Sequence, residues 1–221
     1  MSKVDKAIDV LLSEEGEPLF SNPYVFDDKW LDDHVEGSWT RREDGRINVR
    51  GDISFRNMGL EKLPYSFHKV TGRFDCSSNQ LTSLEGCPEV ARDNFDCSYN
   101  QLTSLSGGPK EVGGNFFCSY NQLTSLEGCP KEVKYSFDCT HNQLTTLRGC
   151  PEYVGNMWCR YNLLTNFVGG PEKVNSSLYA IKNPFESLEG APKYVGRRFR
   201  TDQFTEMQYR EYARDTYGTK D

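Results

Sequence analysis

The side chains of this chain best suited to chemistry are its eight cysteines and three histidines, and their spacing limits what they can do. Cys76, Cys97, Cys118, Cys139 and Cys159 succeed one another in steps of 21 residues, with a single step of 20. Cys87, Cys129 and Cys150 keep a second register, in which Gly108 stands where a further cysteine would fall. Zinc asks for four converging ligands, usually in close pairs such as CxxC, and no such pair occurs. A regularly repeated cysteine is instead expected to pack as a small apolar side chain. Asp138 and His141 stand three residues apart and have the means for acid–base work. No nucleophile accompanies them, because Cys139 points to the opposite face of any strand that carries Asp138. The glycines of "GGPKEVGGN" fall in turns rather than in a phosphate-binding loop. The expectation is a chain that is not an enzyme and carries no metal or cofactor.

What positions these residues is a repeat. "FDCSYNQLTSLSGGPKEVGGN" from Phe95 to Asn115 is followed directly by "FFCSYNQLTSLEGCPKEVKYS" from Phe116 to Ser136. Aligned on their cysteines, the units start at Phe74, Phe95, Phe116, Phe137, Met157, Leu178 and Phe199, and the stretch from Ile53 to Arg73 is a worn copy of the same length. Such a period marks a solenoid, whose units bury their apolar edges only against their neighbours. In each unit the apolar places are those of Phe116, Cys118, Leu123 and Leu126, with an asparagine where Asn121 stands. The first two alternate as in a strand. The "EGCP" or "GGP" turn brings the chain back, since Gly permits positive φ and Pro fixes φ at the bend. Parallel strands about 4.8 Å apart would make a curved rod on the order of 35 Å long. One interior column then holds Cys76, Cys97, Cys118, Cys139, Cys159 and Ala180. Another holds Asn79, Asn100, Asn121, Asn142, Asn162 and Asn183, whose amides are expected to satisfy backbone groups as the chain leaves each strand.

Over residues 53–201, about two-thirds of the chain, this unit resembles the LxxLxLxxNxLxxL motif of the leucine-rich-repeat family. Its short, helix-poor form is similar to the bacterial subtype with units of about 20 to 21 residues. Wording such as "CSYNQLTSLEGCP" is also similar to repeat proteins of large tailed bacteriophages. Two departures are the Cys in place of Leu and an extra residue in most units between Val112 and Phe116 and their equivalents. The resemblance implies a repeat solenoid with a curved parallel β-sheet and little helix on its convex side. The phage likeness implies a bacterial partner.

A solenoid needs covered ends. Residues 1–52 are expected to form an N-terminal cap, with a helix through Val4, Ile8 and Leu11 and a β-hairpin turning at Asp44 and Gly45. Residues 53–201 form about seven coils, and residues 202–221 a C-terminal capping helix, opened by the capping-box spacing of Thr205 and Gln208 and ending near Gly218. Phe204, Tyr209 and Tyr212 are expected to seal the last coil. The formal net charge of −6 argues against tight binding to nucleic-acid phosphates. The start has no apolar core long enough for a signal peptide, and no stretch approaches the roughly 18 apolar residues of a membrane span. A cytoplasmic protein with free thiols is expected, in the host cytoplasm if phage-encoded. Secreted effectors with similar repeats often carry a ubiquitin-ligase domain after the solenoid, and the 20 residues after Thr201 leave no room for one in this chain.

The remaining candidate for function is the concave face. Its middle column reads Ser54, Asp75, Asp96, Phe117, Asp138, Trp158, Tyr179, Arg200, and its outermost Asn57, Ser78, Tyr99, Tyr120, His141, Tyr161, Lys182. Folding alone does not call for aromatic residues there, and exposed aromatics beside Arg160 have the composition of a protein-binding hot spot. The expected partner is a protein, bound through Phe117, Tyr120, Trp158, Tyr161 and Tyr179 with the charged residues around them. Against this stands cross-strand stacking that merely stabilises an open sheet. Other readings are a nucleotide held by the aromatic column with Arg160, Lys182 and Arg200 on its phosphate, a virion structural part, and, last, a hydrolase using Asp138 and His141.

Overall fold

The computed structural model describes residues 26–218, which form a parallel β-solenoid closed by a short helix and hairpin at one end and a helix at the other. The strand bearing each cysteine column lies in a first strip. It comprises β2 (Ile47–Ser54), β4 (Phe74–Asp75), β6 (Phe95–Asp96), β8 (Phe116–Phe117), β9 (Glu132–Asp138), β10 (Tyr153–Trp158), β12 (Ser177–Tyr179) and β14 (Arg198–Arg200). Phe74 pairs with Phe95, Phe95 with Phe116, Phe116 with Phe137, Met157 with Leu178 and Leu178 with Phe199, so equivalent places of successive units share a column.

The repeat also builds a second parallel strip that its pattern does not announce. β3 (Phe67–Val70), β5 (Val90–Ala91), β7 (Glu111–Val112), the starts of β9 and β10, β11 (Lys173–Val174) and β13 (Tyr194–Val195) stack in register. A column of buried residues holds it to the core, Val70, Ala91, Val112, Val133, Val154, Val174 and Val195, joined in β3 by Phe67. Between the strips the chain turns a corner lined by polar side chains. Asn94 Oδ1 accepts the Asn115 N–H at 2.8 Å, Asn115 Oδ1 that of Ser136 at 2.9 Å, and Asn156 Oδ1 that of Ser177 at 3.3 Å.

Inside, phenylalanines stack from coil to coil, with ring centroids 5.6 Å apart for Phe74 and Phe95, 5.3 Å for Phe95 and Phe116 and 5.7 Å for Phe116 and Phe137. The cysteines of the first column are buried beside them, and all eight thiols are free. The asparagine column is a hydrogen-bond ladder, as expected. Asn121 Nδ2 donates to the carbonyls of Cys97 (3.0 Å), Cys118 (3.2 Å) and Ser119 (3.3 Å), while its Oδ1 accepts the Leu102 N–H at 3.0 Å. A buried side chain with one acceptor and two donors is thereby satisfied on every side. The return turns use glycine as anticipated: Gly128 has φ +97°, and a Cβ there would lie 2.6 Å from the Leu105 carbonyl carbon.

The N-terminal cap is α1 (Asp28–His34) followed by β1 (Val35–Arg41), which pairs antiparallel with β2. The hairpin turns at Gly45, whose N–H donates to the Arg42 carbonyl at 3.0 Å. Trp30 of α1 stacks on Phe55 at 5.0 Å and closes that end of the core. The helix expected through Val4, Ile8 and Leu11 lies outside the described residues. At the other end α2 (Glu206–Tyr217) starts in a full capping box between Thr205 and Gln208 and stops at left-handed Gly218. Tyr209 stacks on Phe199 at 4.3 Å, and Phe204 and Tyr212 pack against the core, so the three residues seal the last coil. Among the described residues no helix is long and apolar enough to cross a membrane.

Candidate functional site

The open side of the first strip brings the two columns together. Along the middle one, Asp75 pairs with Asp96, Asp96 with Phe117, Phe117 with Asp138, Asp138 with Trp158, Trp158 with Tyr179 and Tyr179 with Arg200. The acids have a structural task. Each turns its Oδ1 to the N–H two residues on: Asp75 to Ser77 at 3.0 Å, Asp96 to Ser98 at 2.9 Å and Asp138 to Thr140 at 2.9 Å. These side-chain turns lead the backbone out of the strand. Burial pushes the Asp96 carboxyl above its ordinary value against the hydrogen bonds from Ser98. Phe117, Trp158 and Tyr179 take the same place without offering such a bond. They are half-buried between their neighbours rather than fully open to solvent.

The outermost column stands one step beyond the strands, in turns. Asn57, Ser78, Tyr99, Tyr120, His141, Tyr161 and Lys182 all have left-handed backbone, with φ between 52 and 62°. The four rings among them form a continuous ladder. Tyr99 and Tyr120 stack with centroids 4.3 Å apart, Tyr120 and His141 at 4.3 Å, and His141 and Tyr161 at 4.2 Å, all within 18° of parallel. Tyr99, Tyr120 and Tyr161 remain 53, 42 and 45% exposed. Tyr120 and His141 are covered on both faces and turn only edges outward, while Tyr99 and Tyr161 each keep one face without a ring against it among the described residues. His141 is held between two tyrosines, and Asp138 is committed to its own turn, so the structure does not join them as an acid–base pair.

No family model matches the chain, and neither does any curated protein or solved structure. What the site can do therefore rests on its own chemistry. Among the described residues no cluster of His, Cys, Asp or Glu is placed to hold a metal ion. Burial raises the thiols of Cys97, Cys118 and Cys139 well above the ordinary range and Cys159 to about 12, which leaves them protonated and inert at neutral pH.

At the C-terminal end the face turns basic. The Arg160 guanidinium lies 5.5 Å from the centroid of the Tyr179 ring. Lys182 and Arg200 are exposed beside it. Arg198, absent from the residues singled out by sequence, belongs with them, because β14 buries Phe199 and alternation puts both flanking arginines on the open face. That alternation was the available signal. A separate exposed group lies on the second strip, where Tyr153, Lys173 and Tyr194 are in register and the Lys173 amine sits 5.4 Å from the Tyr194 ring centroid.

Proposed function

We propose that this chain is a non-enzymatic protein-binding module that grips one partner across the open face of its first strip. Phe117, Tyr120, Trp158, Tyr161 and Tyr179 are its centre, with Asp75, Asp96, Tyr99, Asp138, His141, Arg160, Lys182 and Arg200 around them. We assign the coils to the leucine-rich-repeat family in its short bacterial form. The chain then acts as a phage-encoded modulator of a bacterial host protein, such as a defence factor, in the host cytoplasm.

The observation that carries this reading is the aromatic ladder on left-handed backbone. A non-glycine residue there costs on the order of 1 to 3 kcal/mol. Asn is among the residues that tolerate this conformation, and Asn57 meets the need in the first coil. His141 is also of a type that visits this conformation, but the three tyrosines are not, and stacking worth about 0.5 to 1.5 kcal/mol per pair offsets their strain only in part. Stacking also leaves Phe117 and Trp158 unexplained, since neither makes a ring–ring contact among the described residues. Strain and half-exposed aromatics on one face favour recognition over stability alone. A nucleotide would have to stack on the outer faces of Tyr99 or Tyr161 or on Phe117 and Trp158, because the inner faces of the ladder are taken.

The test is a tagged pull-down from bacterial lysate, comparing wild type with a Phe117→Ala, Trp158→Ala, Tyr179→Ala variant of unchanged circular dichroism. A protein recovered by wild type and lost with the variant supports the reading. Recovery of the same proteins by both, or of none, removes it. Nucleotide absorbance released on denaturation would restore the small-ligand alternative.

A further inference from the structure

We infer that the segment this face takes is an acidic one: an extended stretch of protein rich in Asp and Glu, whose carboxylates meet Arg160, Lys182, Arg198 and Arg200. The inference rests on the protein-binding reading above and names the chemistry of its partner. The four cations crowd the end of a chain whose overall charge is −6. None of them makes an ion pair among the described residues, whereas at the opposite end of the solenoid Glu89 meets both Arg46 (2.6 Å) and Lys110 (3.4 Å). Asp202 spends its Oδ2 on the Lys182 main-chain N–H at 2.7 Å and forms no ion pair with the ammonium. Arg160 Nε is shut from solvent with no hydrogen-bond partner, held beside Tyr179. A guanidinium held over one aromatic ring and without an ion pair has its remaining N–H groups left to meet a carboxylate.

Asp75, Asp96 and Asp138 occupy the other part of the face, each held in its own turn, so the acidic segment is confined to the C-terminal coils. Next to the four cations the nearest ring, Tyr179, already carries the Arg160 guanidinium, and the inner ladder rings show edges, so a base is offered little platform beside the charge. Phenol hydroxyls are hydrogen-bond donors to carboxylate oxygens. Burial and the neighbouring Tyr99 hydroxyl push the Tyr120 phenol up, which keeps it protonated and donating at neutral pH. The overall negative charge repels any long polyanion, so the segment is a short one whose few carboxylates pair directly with the cations.

The test uses the full chain and a fluorescent synthetic peptide of alternating Glu and Ala, with an oligo-dT strand of equal charge as comparison. The peptide is expected to bind, to weaken as salt rises, and to lose about tenfold or more in affinity against R198E/R200E, the size of effect seen when close charge pairs are broken. Absence of binding at millimolar peptide, indifference to R198E/R200E, or tighter binding of the oligonucleotide would each overturn the inference. Its failure is separable from that of the wider reading. If the triple aromatic variant loses the captured partner while R198E/R200E keeps it, the face binds protein but not through acid. If neither variant loses it, the face is not the site.

Discussion

Replacing Asn121 by Leu keeps the branching at Cγ and removes every polar atom from one rung of the ladder. Asn121 Oδ1 is the acceptor for the buried Leu102 N–H, which is then stranded. The carbonyls it served are not. Cys97 O keeps the bond from Asn100 at 3.1 Å, and Cys118 O keeps that from Asn142 at 3.1 Å. One stranded group costs about 1 to 3 kcal/mol. The sharing makes a stronger prediction. In Asn100→Leu, Asn121→Leu, Cys97 O loses both donors, so the double variant strands the Leu81 and Leu102 N–H groups and a carbonyl besides. Its loss should exceed the sum of the single losses by about another 1 to 3 kcal/mol. Asn79 and Asn142 share no partner, and their double variant should be additive within about 0.5 kcal/mol. Urea unfolding at constant m measures all of these. Equal additivity in the two pairs would refute the ladder as the source of cooperation between coils.

Alkaline pH should unfold the protein early. Burial raises the thiols of Cys97, Cys118 and Cys139 and takes Cys159 to about 12. A raised thiol pKa leaves stability intact below the unfolded value of about 8.5 and removes about 1.4 kcal/mol per thiol for each pH unit above it. The melting temperature should fall steeply above about pH 9, and a flat profile up to about pH 10 would contradict the buried column. At Tyr120 the usual order of alanine and glycine should invert. Both substitutions remove two stacking contacts, but only glycine relieves the left-handed backbone, so Tyr120→Gly should melt above Tyr120→Ala by an amount equal to about 1 kcal/mol. Alanine as the more stable variant would show that the column is not strained.

The fold was legible because a repeat tests each assignment many times over. Cysteine recurring two places after a large apolar residue fixes the strand phase, and an asparagine at constant offset announces a buried amide; both columns stand where the spacing puts them. The second strip was hidden because most coils commit only one apolar residue to it, such as Val112, too few to show alternation. The corner ladder was hidden because Asn94, Asn115 and Asn156 alternate with Arg, Ser and Asp at the same place. The seven-residue helix "DKWLDDH" is too short for a helical period, and its place is fixed by Trp30 against Phe55. On the open face, alternation found the middle column in its true register. The outermost column was placed on the right face, but its left-handed turns were hidden because no strand pattern predicts a run of left-handed tyrosines, and Arg198 was passed over.

The most direct test of the binding account is the affinity of the captured partner for three proteins, measured by calorimetry: wild type, the Phe117→Ala, Trp158→Ala, Tyr179→Ala variant, and a Tyr153→Ala, Tyr194→Ala variant on the second strip. The account predicts a loss of about a hundredfold or more for the first variant and none for the second. Wild-type affinity in the first variant, with the loss falling on Tyr153 and Tyr194 instead, would place the interface on the other side of the solenoid and contradict it.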